Sequence, residues 1–351
     1  MKAKKLIDNL KYDFKSFLLE RRLDSSLWKP DLVVSLTYHC NANCEYCYSK
    51  GLKKDMPNHI TFENFKRIVQ WLKKQGRNKI IVFGGEPTIH PEFKNILQYC
   101  EDEDMEIGVL TNGLFKKDIS DMLAKDFVKI ISFNYNPPFL YKKNDWELLN
   151  KNINILAKKG AKVELRGNLQ DYYRNYDYII KKAKNYGLKI RFGITLKGVD
   201  NKYWSFEDRE NIKSCLLRFV KKMKANKVYG FLTGPIPRCL FSNSEWNFLK
   251  KYAHARSRCY VTDFKAKKGK NLKFDSGCRV VNPDLSVFGC SPIFNQKANN
   301  LLDFWDVFEL YDYFHHNLIN LQWEKHLYEG CKKCKLFRSR VCQGACLGAK
   351  I

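Results

Sequence analysis

The sequence has no long apolar run. Its hydrophobic stretches are short and broken by charge, and none approaches the roughly 20 residues that cross a bilayer as a helix. No membrane insertion is expected. The N-terminus, Met1-Lys2-Ala3-Lys4-Lys5, is basic but leads into no apolar core or small-residue cleavage site, so no secretory signal peptide is read. Internal repeats and low-complexity tracts are lacking as well. Acidic residues are scarce, 37 against 63 basic ones, for a formal net charge of +26. Such an excess favours an acidic partner: a nucleic acid, an acidic peptide or an anionic surface. A lysine-rich solvated surface gives the same count, and charge alone marks no site.

Cysteine is plentiful. Thirteen cysteines without an export signal suggest a reducing, cytoplasmic compartment and metal ligation, not disulfides. With 351 residues and 44% hydrophobic content, the chain can bury one large core plus a smaller one.

Three thiols fall within Cys40-Asn41-Ala42-Asn43-Cys44-Glu45-Tyr46-Cys47. This stretch follows Leu32 to Leu36, an apolar run that reads as a strand, so the thiols sit on a loop at a strand's C-terminal end. Three thiolates can face one soft metal centre. A fourth local thiol would close a zinc or iron–sulfur site, and it is lacking; the open position is a place to bind a substrate. His39 is adjacent, but in a continuing strand its side chain points away from Cys40.

The rest of the chain alternates. Residues 1–24 read as a helix, with Leu6, Leu10, Phe14, Phe17 and Leu18 at helical spacing. Strands are expected at 31–38, 79–83, 106–110, 127–133, 161–165 and 188–196. Helices are expected after Thr61, at 91–103 and 144–159, after Asp171 and at 206–225. Six strands alternating with helices argue for an α/β fold on a parallel sheet. Gly234-Pro235-Ile236-Pro237 breaks the pattern, and basic segments follow at 250–258 and 265–270. Three parts are expected: an N-terminal helix (1–30), an α/β unit (31–230) and a small cysteine-rich unit (231–351). In the last, Cys278 and Cys290 flank two short strands around Pro283-Asp284, and Cys331-x2-Cys334 and Cys342-x3-Cys346 follow. Zinc is the default for paired thiols, but six exceed one zinc site, and iron–sulfur clusters also take four thiolates. Cys100 and Cys215 read as buried core residues.

The spacing Cys-x3-Cys-x-aromatic-Cys resembles the signature of the radical S-adenosylmethionine (radical SAM) superfamily. The resemblance implies a partial (β/α)6 TIM-like barrel, open on one side, and a four-iron, four-sulfur cluster on Cys40, Cys44 and Cys47. Gly84-Gly85-Glu86-Pro87, otherwise a turn with a charged residue, is similar to the family motif that binds the methionyl amino group of S-adenosylmethionine. Thr111, Asn112, Ser132 and Asn134 then approach the ribose and methionyl groups, Arg166 pairs with the methionyl carboxylate, and Tyr46 lies near the adenine. The C-terminal cysteines resemble SPASM and twitch extensions, which carry auxiliary clusters. The gap between Cys334 and Cys342 is longer than the family's, and its last downstream cysteine has no counterpart. Cys239 and Cys259 therefore join Cys278, Cys290, Cys331, Cys334, Cys342 and Cys346 as candidate ligands. At least one auxiliary four-iron cluster is expected, with Cys278 and Cys290 among its ligands.

The activity so implied is reductive cleavage of S-adenosylmethionine to a 5′-deoxyadenosyl radical that takes a hydrogen from a substrate. Enzymes of this architecture most often mature ribosomally made peptides or proteins, by thioether or carbon–carbon crosslinks or side-chain oxidation, with an electron donor such as flavodoxin or ferredoxin. Modification of a nucleic acid or a small molecule is the alternative. A zinc-ribbon nucleic-acid-binding protein is the non-enzymatic one; it accounts for the C-terminal pairs but not for the first loop. No residue stands out as a general base.

Overall fold

The computed structural model describes residues 28–44, 47, 49, 56–169, 175–194, 209–234, 236–257, 279–290, 297–298, 300–325 and 328–344. The expected N-terminal helix and its Asp171-capped counterpart's first turn lie outside them.

Seven parallel strands run in chain order: β1 (Leu32–Thr37), β2 (Lys79–Gly84), β3 (Glu106–Thr111), β4 (Val128–Asn134), β5 (Val163–Leu169), β6 (Lys189–Ile194) and β7 (Gly230–Thr233). Between them lie α1 (Phe62–Lys73), α2 (Phe93–Asp102), α3 (Lys117–Leu123), α4 (Lys143–Lys158), α5 (Asp177–Tyr186) and α6 (Arg209–Ala225). The mixed α/β class and parallel sheet are as expected. Among the described residues the end strands of the sheet do not pair with each other, so the sheet is open.

Within the α/β part, two elements exceed the sequence reading. Strand β7 is a seventh, only four residues long and next to Gly234. It fits because Gly230 lacks a Cβ, which would stand 2.5 Å from the Ile190 carbonyl of β6. Helix α3 is one short amphipathic segment that buries Ile119, Ser120 and Leu123. Helix α5 also starts later than read, with Tyr176 at its N-cap. By contrast Thr61 caps α1 as expected, its hydroxyl accepting from Asn64 N–H at 3.1 Å.

Alternation divides the sheet. Leu32, Val34, Ile80, Val82, Ile131, Phe133, Leu165 and Ile190 are fully buried in the core with the helices, alongside Cys100 and Cys215. The opposite face carries Ser35, Thr37, Ser132, Asn134, Glu164, Arg166 and Arg191. Trp28 covers the N-terminal end of that face: its Nε1–H donates to Glu106 Oε2 at 2.7 Å, and its ring occupies the space above Gly108.

The C-terminal part adds to the same sheet. After α7 (Asn243–Ala253), strands β8 (Val280–Val281) and β9 (Val287–Phe288) form the expected hairpin, joined by a turn in which Leu285 has φ +67°. Strand β8 lies parallel to β1, pairing Val33 with Val280, and β10 (Lys297–Ala298) pairs with β9. Helix α8 (Val307–Glu324) packs over the hairpin, with Phe314 and Leu318 filling the space above Gly289. One apolar core runs from β1 through α8. The short α9 (Lys335–Arg338) follows.

Candidate metal and cofactor site

The site is assembled where β1, β2 and β3 end. Thr37, last residue of β1, pairs with Gly84, last of β2. The next residues close like a zipper: Gly85 N–H donates to Thr37 O at 2.6 Å and Glu86 N–H to His39 O at 2.8 Å. Only glycine permits this approach. A Cβ on Gly84 (φ +147°) would lie 2.0 Å from Thr37 O, and one on Gly85 2.1 Å from His39 O. The space these glycines leave is thus taken by the chain's own backbone, and the result is that Glu86 stands beside the loop that begins at Cys40.

Glu86 is 0% exposed. Its Oε1 accepts from Thr88 N–H at 3.2 Å, Thr88 Oγ1 at 2.7 Å and Thr111 Oγ1 at 2.7 Å; its Oε2 accepts from Asn112 N–H at 2.6 Å. Burial pushes its pKa up, against these hydrogen bonds. Asn112 also reaches the cysteine loop. Its Nδ2 donates to Asn41 Oδ1 at 2.7 Å and lies 3.7 Å from Cys40 Sγ, while Asn41 Nδ2 donates to Leu114 O. Thr88 and Asn41 are members of this network that sequence reading missed; the signal available was only their adjacency to the motifs.

Cys40, Cys44 and Cys47 are each partly buried. Cys40 Sγ accepts from Ala42 N–H at 3.4 Å, Cys47 N–H donates to Cys44 O at 3.2 Å, and Cys47 Sγ lies 2.9 Å from Ser49 Oγ. Burial raises the Cys40 pKa, and the charges of Glu86 and Cys44 push the same way. Such crowding of negative charge is relieved by a cationic centre among the thiols. Behind the loop His39 stacks on His59 at 5.2 Å, and His90 meets His59 edge-on at 5.1 Å.

A second polar cluster lies on the same sheet face. Glu164, 3% exposed, accepts from Ser132 Oγ at 2.6 Å and is gripped by Arg191 through Nε at 2.9 Å and Nη2 at 3.2 Å. Burial works against its charge, but Arg191 and then Arg166 hold its pKa below the ordinary value. Asn134, Arg166 and Arg191 are neighbours in register across β4, β5 and β6. Of the expected residues, then, Ser132 is engaged by Glu164, while Asn134 and Arg166 stand one step further along the strands. Glu164 and Arg191 went unread, although charged residues inside apolar strands were their signal.

Tyr46, Cys259, Cys278 and Cys346 lie outside the described residues. Cys290 is half-buried beside the core at the end of β9. Cys331 and Cys342 are buried, Cys334 is half-buried, and Cys239 sits on a single turn of 3-10 helix, Arg238–Leu240. Among the described residues no three His, Cys, Asp or Glu side chains gather tightly enough for one metal ion, as a lone zinc requires.

Residues 34–162 match the family model described as the Radical SAM superfamily. The matched segment, which includes Cys40, Cys44, Cys47 and Glu86, is similar to the radical SAM superfamily. The chain's curated relatives carry enzyme names. GTP 3′,8-cyclase from Campylobacter jejuni (strain RM1221) is 27% identical over 242 residues, 66% of this chain and 69% of that protein. A probable GTP 3′,8-cyclase from Thermococcus kodakarensis is 30% identical over 116 residues, and this chain spans only 38% of its length. Among solved structures, Streptococcus suis SuiB bound to precursor peptide SuiA superposes with a TM-score of 0.63 at 16% identity, over 97% of this chain and 76% of that one. The anSMEcpe enzyme with AdoMet and Kp18Cys peptide gives 0.64 at 17% identity, over 90% and 88%. At such identities the likeness is one of fold, and it extends into the C-terminal part of the chain.

The residues fit the cluster and cofactor of the superfamily. Three thiols share one loop with hydrogen-bond donors at sulfur, and a buried carboxylate is wired to them. Among the described residues no helix is long and apolar enough to cross a membrane.

Proposed function

We propose that this chain is a radical SAM protein that cleaves S-adenosylmethionine reductively and uses the product to modify a peptide or protein, in the cytoplasm and with an electron donor such as flavodoxin or ferredoxin. The observation that carries the reading is the continuous network from Cys40 through Asn112 to Glu86 and Thr111, which joins three successive strand ends. Cys40, Cys44 and Cys47 would hold a four-iron cluster, which would supply the electron for splitting the sulfonium of S-adenosylmethionine. Glu86, with Thr88 and Thr111 locking its rotamer, receives the methionyl ammonium. Arg166 and Asn134 offer a cation and an amide to the carboxylate and ribose. Trp28 closes the far end of the sheet face to water.

A peptide substrate is supported by the two structures of like fold solved with bound peptides, by the open sheet, and by the +26 net charge. The charge points to an acidic peptide. A small-molecule substrate is the second reading, favoured by the two GTP 3′,8-cyclase relatives. The zinc-ribbon alternative gives way to the family match. The test is anaerobic reconstitution with a reductant, followed by assay of 5′-deoxyadenosine with acidic peptides, neutral peptides and GTP. Peptide-dependent mass change that weakens as salt rises supports the reading. Turnover of GTP alone replaces it with the second.

A further inference from the structure

We infer that Asn282, on the β8–β9 hairpin, is a positioning residue for the first cysteine loop: it fixes Tyr38 by a buried hydrogen bond and so sets where the chain enters Cys40. The inference rests on the reading that Cys40, Cys44 and Cys47 share one centre.

The two residues lie 244 positions apart and meet in the interior. Tyr38 Oη donates to Asn282 Oδ1 at 2.5 Å, and both side chains are buried. The Asn282 amide faces one way only. Its Nδ2 donates to Ser286 O at 3.1 Å and to Ser286 Oγ at 3.0 Å, which turns the oxygen toward Tyr38. The hairpin turn holds the amide in that orientation. Asn282 N–H donates to Ser286 O at 2.8 Å, and Leu285 N–H donates to Asn282 O at 2.9 Å. Asp284, exposed at the turn, accepts through Oδ1 from Ser286 N–H at 2.9 Å and from Ser286 Oγ at 2.6 Å. A polar chain thus runs from a surface carboxylate, through Ser286 and Asn282, to Tyr38.

Packing sets the hairpin against both strands that end in the site. Tyr38, Phe83, Val280 and Phe288 form a small apolar cluster of their own, apart from the main core. Tyr38 stands two residues before Cys40, and Phe83 three before Glu86. Tyr38 is also the residue between the two backbone acceptors of the zipper, Thr37 O and His39 O. Whatever fixes Tyr38 therefore fixes the backbone that carries them. Apolar contact is non-directional and leaves the ring free to slide. A hydrogen bond has a preferred length and angle, so the Tyr38 hydroxyl gives the ring one position along the sheet. The Tyr38 N–H makes only a longer bond, to Asn58 O at 3.3 Å. Removing the hydroxyl strands the Asn282 oxygen in the interior, a cost relieved only by moving the hairpin or the entry to the loop.

The test uses the full chain, as wild type and with Tyr38→Phe, Asn282→Ala or both. In the metal-free protein, hydrogen exchange at the Gly85 and Glu86 amides should speed up roughly five- to ten-fold in either single variant, as for the loss of one buried hydrogen bond. The double variant should go no further, because both changes remove the same bond. After anaerobic reconstitution with iron and sulfide, the electron paramagnetic resonance signal of the reduced first centre should shift in both single variants. That signal is isolated by difference from the chain carrying Cys40→Ala, Cys44→Ala and Cys47→Ala. Phe314→Leu, which loosens the hairpin from the α8 side, should lower the melting temperature and move neither readout. If it moves them equally, the hairpin acts through its packing and the assignment to Asn282 falls. Exchange and spectrum unmoved by the single variants overturn it as well; where Asn282→Ala does not fold, Tyr38→Phe decides alone. The reading of the first centre fails separately, if wild type and the triple cysteine variant bind equal iron; exchange in the metal-free chain then still decides whether Asn282 sets the entry to the loop.

Discussion

The Asn112 backbone N–H donates to Glu86 Oε2 at 2.6 Å, while the Asn112 side chain lies 3.7 Å from Cys40 Sγ. One residue thus ties the carboxylate proposed to hold the cofactor's ammonium to the loop proposed to hold its cluster.

Replacing Glu86 by Gln keeps the shape and removes the charge. A charge-assisted bond to an ammonium contributes about 1.5–3 kcal/mol, so Glu86→Gln should weaken S-adenosylmethionine binding about ten-fold or more with iron content unchanged. Isothermal titration of the reconstituted protein measures this. An unchanged dissociation constant would reduce Glu86 to a turn residue.

Glu86 also makes a pH prediction for the ligand-free protein. Its folded pKa is raised by burial, so the folded state holds the proton more tightly than the unfolded one. Its contribution to stability is full below the ordinary carboxylate pKa and is lost as pH rises through the raised value. Thermal melts of the wild type should therefore fall in this window relative to Glu86→Gln, which cannot ionise. Parallel curves for the two proteins would contradict the buried carboxylate.

Gly85→Ala places a methyl 2.1 Å from His39 O. The strand ends must separate, and the hydrogen bonds at 2.6 and 2.8 Å must lengthen. The variant should fold, since the core strands are untouched, yet assemble the first cluster poorly. Circular dichroism together with iron and sulfide analysis reads both halves; full iron content in Gly85→Ala would mean the zipper does not position Cys40.

Arg191→Met should leave Glu164 buried with only Ser132 bonded to it and Arg166 nearby. Breaking a buried pair costs about 3–5 kcal/mol; the low end, about 3 kcal/mol, applies because the Arg191 side chain is 31% exposed. Adding Glu164→Gln should recover much of the loss. Denaturant melts of the single and double variants decide it, and equal destabilisation by both would show that the loss does not come from an uncompensated Glu164 charge.

The local features of this protein were written in its sequence. The spacing of Cys40, Cys44 and Cys47 needs only a short loop after an apolar run, and the alternation of strands and helices follows from periodicity that each segment carries by itself. Thr61 announces its helix because a cap acts within one turn. Length hid the rest: β7 has four residues and a glycine start, too little pattern to read, and its existence depends on β6 lying beside it. Contacts between distant positions were beyond a linear reading. Glu86 and Asn112 meet because β2 and β3 are adjacent in a parallel sheet and end at the same height. Glu164 becomes a partner of Arg191 only when β5 and β6 pair in register. Residue types and short spacings state what chemistry a chain can hold; which groups share a site depends on loop closure across many residues, which only the packed sheet and its C-terminal cover determine.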